Sequence, residues 1–217
     1  GVQTCALPIY GQPQNGRRHL RYREPWEACL PMNENWCYHP NDNNWKSPKH
    51  LAELLRKVSA GQGNLLLNVA PKGDGSIPSE AETILSSVGE WIETNRESLF
   101  DTIRFELDLR KRTDSRADFG YHGRYSARQD AFYLHVHSWP GRYLCICGLE
   151  CKVEKVSLLQ DDRSFRFTQQ DGKLEVFDLP ETMDTAVPVV IKFQTDRMPM
   201  IYKTGGARNP RVPHCRY

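Results

Sequence analysis

The chain has 217 residues, 39% of them hydrophobic, and its 29 basic and 27 acidic side chains leave a net charge of only +2. That length holds one large domain or two modest ones. The even mix of charge argues against nucleic acid or an anionic membrane as the main partner, and no apolar run reaches the ~20 residues a membrane span requires.

The seven cysteines form no C-x-x-C pair. The closest group, Cys145, Cys147 and Cys151, has the wrong spacing for a zinc site, so no metal is expected. The thiols read mainly as small buried side chains, with one disulfide or a reactive site as the alternatives. The opening "GVQTCALPI" lacks an initiator Met and any charged segment leading into an apolar one. It resembles translated sequencing-adapter read-through, so residues 1–9 are set apart from the fold.

After a polar, Arg-rich connector, "PWEACLPMN" reads as a short strand and "ENWCYHPNDNNWKSP" as a loop dense in turn residues. Ser47 as N-cap and Pro48 at the first helical position open a helix. Leu51, Leu54, Leu55 and Val58 give it one apolar face, and Gly61 stops it. The run Leu65, Leu66, Leu67, Val69 has no polar face, the mark of a parallel strand covered by helices. Pro71, Gly73 and Gly75 then punctuate a turn. Ser79 with Glu82 predicts a capping box for a second helix, whose buried stripe is Ile84, Leu85, Val88, Trp91 and Ile92. Two consecutive βα units demand further parallel strands beside them.

From about Phe100 the pattern changes to period two. "TIRFELDL", "AFYLHVHSW", "YLCICGL", "KVEKVSLL", "SFRFTQ", "KLEVFDL" and "PVVIKFQ" are short alternating strands separated by turn signals, which predicts an antiparallel β-sandwich. His135 and His137 alternate along one of these strands with no third metal ligand in the pattern. The tail 197–217 has no clear period.

The segments "PWEACLPMNENWCYHPNDNNWKSPKHLAELLRKVSAGQGNLLLNVAPKGDGSIPSEA" and "VGEWIETNRESLF" resemble glycoside hydrolase family 29, the α-L-fucosidases. The second half, through "FYLHVHSWP" and "LEVFDLP", is similar to that family's C-terminal sandwich. Cys37 stands where the family usually has Gly. The resemblance implies the last two βα units of a (β/α)8 barrel over residues 10–99, then a β-sandwich over 100–196. Active-site groups of such a barrel occupy the carboxyl ends of its strands and the loops that follow, and the pattern places Trp26-Glu27 at such an end.

The family is one of retaining glycosidases, which need two carboxyl groups about 5–5.5 Å apart. The resemblance implies a nucleophilic Asp on an earlier barrel strand, which this sequence does not contain, and no cofactor. It implies an acid/base in the loop before the Trp-Glu strand, where the single carboxylate is Glu24. Glu27 beside Trp26 is the first candidate, either as proton donor or as support behind one; Glu24 is the second. Trp26, Trp36 and Trp45 are candidates for facing a sugar, with packing anchors as the alternative. Asn68 is expected to bond loop amides near the mouth, and Asp74 to be a turn residue. The implied parent is a secreted, periplasmic or lysosomal enzyme that cleaves terminal α-L-fucose from glycans, and the chain without its nucleophile is expected to be inactive. The competing expectation is a non-catalytic carbohydrate-binding or interaction module built on the sandwich.

Overall fold

The structure, a computed structural model, describes residues 26–60, 63–104, 123–184 and 187–200. Glu24, the connector before it and most of the tail lie outside these residues. The chain divides into two compact units, Gly1–Glu93 and Thr94–Tyr217. No helix among the described residues is long and apolar enough to cross a membrane.

β1 (Glu27–Pro31), α1 (Pro48–Ala60), β2 (Asn64–Asn68) and α2 (Ser79–Leu99) follow one another as two βα units, the first unit taking α2 as far as Glu93 and the second its last residues, 94–99. The strands pair in parallel, from Glu27 opposite Asn64 to Pro31 opposite Asn68. Side chains opposite each other in a parallel ladder share a face. Ala28 with Leu65 and Leu30 with Leu67 therefore point one way. Leu30, Leu65 and Leu67 pack there against Leu51, Leu54, Ala81 and Val88 of the two helices. Cys29 with Leu66 and Pro31 with Asn68 point the other way, where Leu66 is 52% exposed. The expected burial on both faces is thus met on the helical face only.

The start of α1 follows its local chemistry. The Ser47 hydroxyl accepts the His50 amide at 3.2 Å, and the Ser47 carbonyl accepts the Leu51 amide at 3.0 Å. At α2 the predicted capping box does not form. The Pro78 carbonyl takes the Glu82 amide at 3.1 Å, which makes Pro78 the capping position. Ser79 is already helical, and its hydroxyl turns to the Glu80 carboxylate at 3.2 Å. The helix departs from helical geometry at Asn95 (φ −109°, ψ 15°), beside the division between the units.

The second unit contains β3 (Ile103–Arg104), β4 (Gly123–Ala127), β5 (Ala131–Val136), β6 (Tyr143–Cys147), β7 (Val153–Leu158), β8 (Arg166–Gln170), β9 (Lys173–Phe177) and β10 (Val190–Thr195). They form a five-stranded sheet, β3-β4-β5-β10-β7, and a three-stranded sheet, β6-β9-β8, antiparallel throughout. Phe132, Leu134, Val156, Leu158, Ile191 and Phe193 of the first pack with Leu144, Ile146, Leu174 and Val176 of the second in one core. This is the expected sandwich. Phe132 and Phe193 stack with ring centroids 4.4 Å apart and planes 3° from parallel.

β5 is buried on both faces, and the last turn of α2 interacts with the side that carries Tyr133 and His135. The Ser126 hydroxyl donates to the Ser98 carbonyl at 2.7 Å, which commits its proton. The 2.9 Å contact between Ser126 Oγ and His135 Nε2 therefore has the imidazole as donor. Lys192, opposite Tyr133 in the ladder, pairs with Glu97 at 2.8 Å. β4, "GRYSA", carries no strong alternation and is not readable from sequence. It is a strand because it pairs with β5, and because Gly123 lets the backbones approach: a Cβ there would strike the His135 carbonyl oxygen.

The stacked Phe pair sits at the centre of this core, so Phe193→Ala is expected to cost about 3–5 kcal/mol, read as a lower denaturant midpoint for the second unit.

Candidate functional site

The carboxyl ends of β1 and β2 are tied together. The ladder continues past both strands, with the Met32 amide donating to the Asn68 carbonyl at 3.0 Å. The Asn68 side chain then works on two sides. Its Nδ2 donates to the Trp36 carbonyl at 2.6 Å, and its Oδ1 accepts the Ala70 amide at 3.4 Å. Ala70 takes a left-handed conformation (φ 47°), uncommon for a residue with a Cβ, as the chain turns out of the strand. Asn68 thus fastens the loop after β1 to the exit from β2.

That loop is organised by one carboxylate. Asp42 Oδ2 accepts the Glu34 amide at 3.1 Å, the Asn35 amide at 3.1 Å and Asn35 Nδ2 at 2.6 Å. Its Oδ1 accepts the Asn44 amide at 3.2 Å, and Asn44 Nδ2 donates to Glu34 at 2.8 Å. Hydrogen bonding from the Asn35 side chain, opposed by desolvation and helped by the loop amides, holds the Asp42 carboxyl below its ordinary pKa. At the loop's base the Lys46 amide donates to the Met32 carbonyl at 2.8 Å, and Lys46 Nζ to the Asn33 carbonyl at 2.9 Å. Asn33 is 3% exposed, and its Oδ1 has no partner among the described residues. In the neighbouring turn Asp74 Oδ1 accepts the Ser76 amide at 2.9 Å and the Ser76 hydroxyl at 2.7 Å, the expected turn chemistry.

The candidate residues are split between the two ends of the ladder. Trp36 and Trp45 lie on the loop at the carboxyl end. Trp36 is half-buried. Trp45 packs into the helix-side core, with its buried indole N–H unpartnered among the described residues. Trp26 and Glu27 lie at the opposite end. Glu27 is the first residue of β1, about 13 Å of strand from Pro31, and not at the carboxyl end where the pattern puts it. The strand starts there because the Trp26 carbonyl accepts the Asn64 amide at 3.0 Å, the first rung of the ladder. Trp26 lies over Gly63, where a Cβ would run into its ring. Sequence reasoning missed Asp42 and Asn33. The run of Asn and Asp announced a turn-rich loop, but no local signal says which carboxylate collects the amides.

Residues 3–97 match the family described as Alpha-L-fucosidase, a match that opens inside the nine residues set apart above. Tissue alpha-L-fucosidase of Homo sapiens is 25% identical over 171 residues, which are 75% of this chain and 34% of that protein. The alpha-L-fucosidase structure from Vibrio sp. strain EJY3 is similar over 90% of this chain and 32% of its own, with 27% identity and a TM-score of 0.71. Isoenzyme 1 from Paenibacillus thiaminolyticus is similar over 79% of this chain and 40% of its own, with 26% identity and a TM-score of 0.66. The chain spans about a third of the length of most of the curated relatives it matches over three quarters of its own length.

The folded Asp42 carboxyl takes up its proton less readily than the unfolded one, so acid favours the loosened loop. Its contribution is intact above pH of about 4 and is lost as the pH falls through the lower folded value. The Asn35 and Asn44 amide resonances should move together through that acid window, and Asp42→Asn should abolish the transition.

Proposed function

We propose, from the match of residues 3–97 to the alpha-L-fucosidase family, that the chain is the carboxyl-terminal portion of a retaining glycoside hydrolase that removes terminal α-L-fucose from glycans. The similarity to the Vibrio structure over 90% of the chain supports this reading most directly, because it takes in both the βα units and the sandwich, in that order. A free-standing binding module would have no use for β1, β2 and their helices.

On this reading β1 and β2 are the last two strands of a (β/α)8 barrel. The face that carries Cys29, Leu66 and Asn68 is the barrel interior, which accounts for an exposed Leu66 in a chain that holds two of the strands. The carboxyl end of the ladder, with Trp36 held by Asn68 and the loop held by Asp42, is part of the mouth. There the Trp36 ring offers an apolar surface to the sugar's C–H face or methyl group, while Trp45 supports the loop from beneath. Glu27 stands at the far end of β1, which favours a supporting role over proton donation. Glu24 remains the second candidate for proton donation.

A retaining reaction needs a nucleophile and an acid/base about 5–5.5 Å apart. The nucleophile belongs to an earlier strand, so the 217-residue chain is expected to give no turnover of an aryl α-L-fucoside. A longer polypeptide that supplies the upstream strands from the source DNA is expected to be active. In it Trp36→Ala should lower kcat/KM about tenfold, or ~1.4 kcal/mol, with the fold intact by circular dichroism. Turnover by the 217-residue chain alone, or an upstream frame without further βα units, would overturn the proposal.

A further inference from the structure

The outer face of β6 holds chemistry that the fucosidase reading leaves unused. Cys145 and Cys147 are two residues apart on this strand, so their side chains share a face, while Leu144 and Ile146 between and before them enter the core. Both thiols are half-buried, with their sulfurs 3.9 Å apart. The opposing strand β9 sets Glu175 across from Cys145 and Lys173 across from Cys147. One oxygen of Glu175 accepts both Lys173 Nζ at 2.7 Å and the Tyr143 hydroxyl at 2.6 Å. The carboxylate nearest the thiols is therefore paired with an ammonium, which offsets part of its repulsion of a thiolate.

We propose that Cys145 and Cys147 form a thiol–disulfide exchange site, with Cys145 as the attacking thiol, Cys147 as the resolving thiol and a low-molecular-weight disulfide as the oxidant. The Cys145 thiolate attacks one sulfur of RS–SR. The Cys145–S–SR bond forms, the S–S bond of the oxidant breaks, and RS⁻ leaves and takes up the proton that Cys145 lost. Cys147, deprotonated in turn, attacks Cys145 Sγ and expels the second RS⁻. The two protein thiols are oxidised to one disulfide, and one RSSR is reduced to two RSH.

The order of roles has a physical basis. Hydrogen bonding from Cys147 and the charge of Lys173 lower the Cys145 thiol to about 7, against partial burial and the charge of Glu175, while the single Tyr143 proton stays on the Glu175 side. A thiol near ambient pH is the most effective attacker. The other titratable group that senses Cys145 is the half-buried Tyr125 of β4, whose hydroxyl desolvation keeps neutral.

The geometry also sets how tightly the product is held. Cα atoms two apart on an extended strand are about 6.6–6.8 Å from each other, at the upper edge of what a disulfide spans. Closing the sulfurs from 3.9 Å to the ~2.05 Å of an S–S bond must pucker the strand. β6 can yield, because among the described residues it pairs with β9 alone, and Gly148 follows it at φ +89°. A disulfide under such strain is readily reduced, so the exchange is reversible.

The test uses the full 217-residue chain with oxidised glutathione as the probe, followed by thiol blocking and peptide mass mapping. The peptide with both cysteines is expected to lose two hydrogens and keep no adduct, and excess reduced glutathione should restore both thiols. Cys147→Ser should retain one glutathione on Cys145, and Cys145→Ser should react at least tenfold more slowly. The pH midpoint of Cys145 alkylation should lie near 7 and rise in Lys173→Met, a change that leaves both thiols and the core in place. The proposal fails if Cys147→Ser takes up no glutathione, if oxidation joins either thiol to a different cysteine, or if both thiols alkylate equally with the ordinary midpoint of about 8.5.

Discussion

Two parallel five-residue strands, hydrogen-bonded from Glu27–Asn64 to Pro31–Asn68, decide how every other part of the first unit is placed. Because the ladder is in register, Leu30, Leu65 and Leu67 face the helices together, and Leu66, Cys29 and Asn68 face away together. Both helices bury their stripes on the first of these faces. The ladder's carboxyl end sets where the loops begin, and its last rung delivers Asn68 to the Trp36 carbonyl. A slip of one residue in either strand would exchange the two faces and uncouple that bond.

Beyond the strands the site is held by polar chemistry in place of burial. In the loop from 33 to 46 Trp45 packs into the helix-side core, and a single carboxylate gathers the backbone around it. Asp42 gathers amides on either side of the loop and leaves Trp36 half-buried. Asn68 closes the arrangement from the strand side. Loops at the ends of rigid strands can therefore carry recognition groups without a core of their own.

The second unit shows the opposite economy. Its core is continuous across two sheets, and β5 is buried on both faces. Even polar groups there are committed, with Ser126, His135 and the Ser98 carbonyl linked in series. The outer face of the three-stranded sheet is the exception. Tyr143, Cys145, Cys147, Lys173 and Glu175 form a polar group at an edge strand, where a change in covalent state disturbs the least packing.

Much of this was legible in the sequence wherever a local period or cap carries the information. Ser47 and Pro48 start α1 as their types require, and the change from period 3.6 to period two separates the βα units from the sandwich. The family resemblance rested on an ordered string of such local signals, and the comparisons bear it out. What only the tertiary structure decided are facts of pairing. Glu27 belongs to the amino end of β1 because the Trp26 carbonyl meets the Asn64 amide, a partner far along the chain. Pro78 caps α2 where Ser79 was expected to, since that depends on which carbonyl the first turn closes on. β4 is a strand because β5 lies beside it, and Asp42 organises its loop because the loop closes on it. A side chain's period is written in its neighbours in sequence, whereas its end of a strand and its hydrogen-bond partners are set by segments that meet only once the chain has folded.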